Sequence, residues 1–396
     1  MCAVIVLLTI IGVYVGSYVL YSVCLVAAAM LIKDVVKVSP RRESRFGIIV
    51  PAHNEELLLP RLLKSITAQN YPQDKFKSII VADNCTDNTP KVAREYGAYV
   101  LVRQDDVHQG KGYALRYALD QIDLSEFDAI LVVDADSVLN SHALSELDRS
   151  LSGGARIIQC YNGVANPEAS WFTRLLDVSR TFGNEIYHPA KQKLGLSSYL
   201  MGNGMCFASE VLKEHGWDAF TVGEDWEYYA TLMQRGEIVA FDRDARVYHE
   251  ESTTLKQASP QRMRWSSGRF AIAWNHGLTL FYKGLAERNI RKVDGSVPLL
   301  FPNPSLGVNL TAIGLILSFW ITEAIPQAIF IVLFLTLAAM QLGMFLIGVA
   351  YTREGFKNSL CVIMVPMFLL WKMSIDCLAA TTGVGASKWR RTDRDT

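Results

Sequence analysis

The hydrophobic pattern changes character twice along this chain. Residues 1–32 contain no charged side chain and are mostly Val, Leu, Ile, Ala and Tyr. A bilayer core takes about 20 apolar residues as helix, so this run can span with length to spare. It lacks the positive leader and short apolar stretch of a cleaved signal peptide, and is read as a retained span. Behind it, residues 46–50 form a short apolar run stopped at Pro51, which predicts a buried strand. Over 55–69, Leu58, Leu62, Leu63 and Ile66 fall on one helical face. Residues 77–82, 99–102 and 129–133 predict three more strands, with helices over 89–96 and 112–121 between them. Such alternation indicates an α/β domain with a parallel sheet and crossover helices.

The uncharged pattern returns near the far end. Residues 305–322 are just long enough to span, 323–326 make a break, and 327–351 span back, ahead of Arg353 and Lys357. Residues 359–384 carry Lys372 and Asp376 near their middle, which is costly at bilayer centre, and lead to Lys388, Arg390, Arg391 and Arg394. The positive-inside rule, applied to Lys33, Lys37, Arg41, Arg42 and Arg45, places the N-terminus outside and the following domain in the cytoplasm. A fourth crossing would leave the basic tail outside, so 359–384 is expected to be interfacial or re-entrant. The expected division is a span over 1–32, a catalytic domain over 33–265, an interfacial amphipathic segment over 266–304, two spans over 305–351, and a membrane segment with a basic tail over 352–396.

Composition narrows the function classes. With 39 Lys+Arg against 39 Asp+Glu, the chain has no basic excess and no case as a nucleic-acid binder. Seven cysteines without a C-x-x-C pair read as reduced thiols, not a disulfide framework.

In parallel sheets ligands bind outside the carboxyl ends of the strands, so functional residues should follow the apolar runs directly. Pro51-Ala-His-Asn-Glu55 follows the first run, Asp83-Asn-Cys-Thr-Asp87 the second and Asp134-Ala-Asp136 the fourth. Turn chemistry alone accounts for Asp and Asn at some of these places, Asp87 and Asn88 above all. Two carboxylates one residue apart behind an apolar strand repel each other, and a divalent cation, Mg2+ or Mn2+, explains the pair best. Asp136, aided by Asp134, is the expected metal site.

With these motifs in order, the middle of the chain resembles the family-2 glycosyltransferases. The shared pattern adds Gly110-Lys-Gly-Tyr-Ala-Leu115, Gly223-Glu-Asp225 and Gln261-Arg-Met-Arg-Trp265. The last two resemble the membrane-bound cellulose synthase, hyaluronan synthase and ceramide glucosyltransferase group, although cellulose synthases usually carry Thr where Gly223 stands. The resemblance implies a GT-A-type, Rossmann-like cytoplasmic domain with a mostly parallel sheet, flanked by transmembrane helices. It also implies that Asp83 contacts the nucleotide base, that Glu55 lies nearby in a nucleotide pocket with Pro51 and His53, and that Gly202 and Asn203 lie near the acceptor sugar.

The chemistry suits a nucleotide-sugar donor. A cation at Asp134 and Asp136 stabilises the charge of a diphosphate leaving group. Lys111, between two glycines, is placed to approach the donor closely. Gln261 and Arg264 suit the diphosphate, and Trp265 offers a flat face to an acceptor sugar. An acceptor hydroxyl needs a base, for which Asp225 is the candidate with Glu224 beside it. The competing reading of that pair is ordinary helix N-terminal acids. His53, His108 and His249 are not counted as metal ligands. One base attacking opposite the leaving group inverts the anomeric centre and gives a β bond. The expected activity is transfer from a UDP-sugar to a lipid or lipid-linked glycan at the plasma (inner) membrane. Processive polysaccharide synthesis, through oligomers or partner proteins, is the alternative, and a non-enzymatic nucleotide-binding scaffold or transporter is a more remote one.

Overall fold

A computed structural model describes residues 2–33, 43–301 and 303–382. The basic residues Lys37, Arg41, Arg42, Lys388, Arg390, Arg391 and Arg394 lie outside the described residues. Among the described residues, the strands β1 (Phe46–Ala52), β2 (Phe76–Asp83), β3 (Tyr99–Arg103), β4 (Ala129–Val132), β5 (Ser137–Leu139), β6 (Ile157–Val164), β7 (Met205–Ala208) and β8 (Val239–His249) form one sheet. Their order is β3-β2-β1-β4-β7-β6-β8-β5. β1 runs parallel to β2 and β4, β2 to β3, and β6 to β8, whereas β7 and β5 run antiparallel to their neighbours.

Both faces of β1 are covered, which is why it reads as an unbroken apolar run. Ile49 packs with Ile79, Ile130 and Val132 on one face, and Ile48 and Val50 pack with Ile80 and Leu131 on the other. β1 runs one residue past Pro51, where Pro51 and Ala52 stand opposite Val81 and Ala82. The helix expected over 55–69 is shorter, Leu59–Thr67. Its first residues are spent in a turn in which the Glu55 carbonyl accepts from the amides of Leu58 (3.2 Å) and Leu59 (2.9 Å). The helices Thr89–Glu95 and Lys111–Gln121 lie where the periodicity puts them.

By length and composition, three described helices can cross a membrane: Cys2–Leu31, Ala324–Tyr351 and Asn358–Thr381. The run expected to cross over 305–322 is the 15-residue helix Pro304–Ser318, about 22 Å long and short of a bilayer core by itself. It bends by 70° from Ile290–Leu300, and only the pair together is long enough. Leu8, Ile11, Val15 and Val19 of the first helix pack against Phe334 and Leu337 of Ala324–Tyr351. In the last helix, Lys372 and Asp376 pair with each other, and Lys372 Nζ also donates to Ser266 Oγ at 2.9 Å. The two charges that argued for a re-entrant course are thus neutralised inside the protein.

The helix Leu255–Ile272 runs unbroken through residue 265 and continues through a widened turn, Ala273–Gly277, into Leu278–Ala286. Trp274, Leu278, Tyr282 and Leu285 are exposed at i, i+4, i+8 and i+11, one helical face, while Leu280 is buried.

Candidate functional site

A cavity of about 640 Å³ opens beyond the carboxyl ends of β1 and β4. It collects Pro51, His53 and Glu55 from the end of β1, and Asp134 and Asp136 from the end of β4. Lys111, Gly202, Glu224, Asp225, Gln261, Arg264 and Trp265 line it as well. Twelve residues singled out by motif therefore converge from six separate segments of the chain.

Lys111 is the first residue of its helix, entered through Gly110 at φ +135°. Its Nζ pairs with Asp134, donates to the Gly202 carbonyl at 2.5 Å, and lies 3.8 Å from Glu224 Oε1. Burial lowers its pKa, but the carboxylates of Asp134, Glu224 and Asp225 outweigh burial and the net shift is upward. The flanking glycine has a different use from the one expected. A Cβ on Gly112 would come within 2.1 Å of the Ala219 carbonyl oxygen, so Gly112 lets the helix seat against that loop.

Glu224 and Asp225 open the helix Glu224–Gln234, where the macrodipole favours acids. Burial adds something a surface helix start lacks. Glu224 is 8% exposed, and its pKa is pushed up to about 8 by burial, against Lys111 and with help from Asp225. Burial raises Asp225 too, opposed by Lys111 and Arg269. Gly202 faces this pair at φ +80°, where a Cβ would stand 3.2 Å from Asp225 Oδ2.

Gln261, Arg264 and Trp265 share one face of the helix Leu255–Ile272, whose start is capped by the Thr254 hydroxyl. Arg262 stacks over Trp265 at 4.6 Å and pairs with Glu251 at 2.6 Å. Burial lowers the pKa of Arg264, with Glu224 opposing.

Two expected site residues stand behind the cavity wall. Asn203, expected near the acceptor, is buried; its Oδ1 accepts from the Asp134 amide (3.1 Å) and its Nδ2 donates to Ser137 Oγ (2.9 Å). It braces the Asp134 loop from beneath. Asp83 is fully buried, with Oδ1 accepting from Arg103 at 2.7 Å and its carbonyl 2.8 Å from His53 Nδ1. Asp83 Oδ2 is buried without a hydrogen-bond partner.

Sequence reasoning passed over Arg269, Glu251 and Arg180. Arg269 lies over Trp226 at 4.8 Å and donates to Asn303 Oδ1 at 3.2 Å. The signal was present, since Gln261, Trp265 and Arg269 recur at i, i+4 and i+8. Glu251 binds Arg180 (2.8 Å), Arg262 (2.6 Å) and His249 Nε2 (3.2 Å), and no local pattern marks such a hub.

Two carboxylates facing one cavity form an all-oxygen donor set suited to a hard divalent cation that is completed by phosphate oxygens. Elsewhere among the described residues, Glu214, His215 and Glu237 bring three donor atoms together, but Arg156 already pairs with both carboxylates (2.8 and 2.6 Å).

A family model described as "Glycosyltransferase like family 2" matches residues 43–268, more than half of the chain. A probable glycosyltransferase of Sulfolobus acidocaldarius is 28% identical over 239 residues, 58% of this chain and 50% of that protein. A beta-monoglucosyldiacylglycerol synthase of Nostoc sp. is 28% identical over 237 residues, 57% of this chain and 48% of that protein. The chain spans about half the length of these curated relatives. A solved mannosyltransferase from Pyrobaculum calidifontis, in complex with GDP-Man and Mn2+, superposes with a TM-score of 0.60 at 18% identity, covering 95% of this chain and 98% of that one. That likeness is one of fold, a GT-A-like domain with a mostly parallel sheet. By this match over residues 43–268, the chain belongs to glycosyltransferase family 2.

Proposed function

We propose that this chain is a membrane-bound, inverting hexosyltransferase that moves a sugar from a UDP-sugar onto a lipid or lipid-linked glycan, forming a β bond. The observation that carries this reading is the single cavity in which Glu224 and Asp225 face Lys111, Asp134, Asp136 and Arg264. Asp225 accepts the proton of the acceptor hydroxyl as the oxygen attacks the anomeric carbon from the side opposite the diphosphate. One base and one displacement invert that centre. Arg264 and Lys111 supply positive charge at the leaving group, in a buried site where such charge acts strongly. Asp134 and Asp136 would hold a divalent cation, Mg2+ or Mn2+, which when bound acts as a Lewis acid toward the diphosphate. Gln261 orients the donor and Trp265 presents a flat face to the acceptor. The nucleotide base lies over the His53 and Glu55 end, with Asp83 behind the wall, its carbonyl 2.8 Å from His53 Nδ1.

Gly223-Glu-Asp225 and Gln261-x-x-Arg-Trp265 support a place beside the membrane-bound ceramide glucosyltransferase branch, and the apolar helices support an integral membrane protein of the plasma (inner) membrane with its site on the cytoplasmic face. The names of the glucosyldiacylglycerol synthases among the relatives support a lipid acceptor. The test is turnover of several UDP-sugars by the purified full chain with membrane lipid extract, with and without a chelator. Metal-dependent UDP release with a lipid-extractable product one sugar heavier is expected. No UDP release from any donor would refute the reading, and long lipid-free polymer would replace single transfer by processive synthesis.

A further inference from the structure

The cavity has two ends of different chemistry. One holds the carboxylates and the residues following β1 and β4. The other is walled by Val19 of the first helix, Val308 of Pro304–Ser318, Phe345 of Ala324–Tyr351, and Val365 and Phe368 of the last helix. One continuous space therefore joins Asp225 to the interior of the apolar helix bundle.

We infer that this apolar arm is the binding site for the hydrocarbon tail of the acceptor, and that the acceptor is a membrane lipid bearing a free hydroxyl. The inference rests on the glycosyl-transfer reading for the hydroxyl's role. The arm is built from the helices suited to the bilayer, and a hydrocarbon chain loses nothing on moving from lipid to these walls. A polar acceptor would leave water for apolar surface without compensating hydrogen bonds.

Charged groups ring the junction between the two ends. Arg180 and Arg262 share Glu251, at 2.8 and 2.6 Å. Lys372 is paired with Asp376, Lys111 with Asp134, and Arg269 donates to Asn303 at 3.2 Å. At this junction the free hydroxyl of the lipid donates to Asp225. Gln341 Oε1, buried without a hydrogen-bond partner on the same cavity wall, offers an acceptor to a second polar group in the neck of the lipid.

The test uses the full chain in phosphatidylcholine nanodiscs with two photoreactive probes. One is a diacylglycerol carrying a diazirine at the end of one acyl chain, and the other is the phosphatidic acid with the same chain. Irradiation with the diacylglycerol should label peptides containing Val308, Phe345 and Phe368, at least about tenfold above the phosphatidic acid, whose glycerol hydroxyl is esterified and cannot donate to Asp225. Val308→Trp and Val19→Trp fill the arm from two different helices, so misfolding of one does not remove the test. Each should raise the KM for diacylglycerol about tenfold or more while UDP-sugar affinity stays within about twofold. Leu335→Trp, on an exposed position of Ala324–Tyr351 away from the cavity, should change neither. Labels confined to the outer faces of the helices, equal labelling by phosphatidic acid, or blocking variants with an unaltered lipid KM would each overturn the inference. If labels map to the arm but no sugar reaches any lipid, the tail site stands and the transfer reading fails, so the two failures are told apart.

Discussion

Asp225 can serve as a base only when ionised, and burial works against that state. Its raised pKa means that turnover should climb as pH rises through the apparent pKa of the Glu224–Asp225 pair. Arg269 opposes the shift, so Arg269→Gln should move the acidic limb of the kcat profile to higher pH. A purely structural role for Arg269 would lower the plateau and leave the limb in place. Asp225→Asn keeps size and hydrogen bonding but cannot take a proton; kcat should fall by about 10²–10⁴-fold with UDP-sugar affinity intact. Asp136→Ala should do the reverse and weaken metal-dependent UDP binding itself. Calorimetry of UDP with and without Mn2+ separates the two variants. At this scale the sequence named the acids and the Gln-x-x-Arg-Trp side chains through their positions after apolar runs and on one helical face. It did not show that Lys111 would be engaged by Asp134 and Gly202, because that contact joins residues 23 and 91 apart in the chain.

The helix bearing Gln261, Arg264 and Trp265 is held to the sheet by Glu251, which follows β8 and receives Arg262 from that helix and Arg180 from Trp171–Phe182. Burial alone would raise the Glu251 pKa, but the two guanidinium groups outweigh it and hold the carboxyl well below its usual value. A carboxyl lowered in the folded state stabilises above its unfolded pKa and stops doing so as pH falls. Glu251→Gln leaves two half-buried arginines without their counter-charge and should cost about 2–3 kcal/mol near neutral pH. The difference from the parent chain should shrink below about pH 4, where the unfolded carboxyl is protonated. Thermal unfolding of the detergent-solubilised protein from about pH 2.5 to 8 reads this; equal midpoints at pH 7 would remove Glu251 from the role. The Asp134–Asp136 loop is a second element set from afar, because Asn203 braces its backbone from the segment before β7.

Across the whole molecule, the first helix is tied to the rest of the fold by polar as well as apolar contacts. Tyr21 donates to Asp294 Oδ1 at 2.7 Å, and Asp294 pairs with Lys191 at 3.0 Å in a buried cluster. Lys193 adds a hydrogen bond to the Ala29 carbonyl at 2.9 Å. On the proposed orientation, with the N-terminus outside, a membrane-impermeant maleimide on intact cells should label a variant whose sole cysteine is Cys2. A variant retaining only Cys85, half-buried near the cavity, should react only after permeabilisation. The opposite pattern would invert the orientation. By itself the sequence determined β1 to β4, the helices between them, the acidic motifs at their ends and the apolar runs of the termini. These are encoded by the spacing of neighbouring residues, and such spacing reports burial wherever the segment finally packs. Tertiary structure alone decided the antiparallel insertion of β7 beside β4, the pairing of Lys372 with Asp376 against Ser266, and the union of the motif residues and apolar helices around one cavity. Those outcomes depend on which distant surfaces meet, and periodicity along the chain says that a face is buried without saying against what.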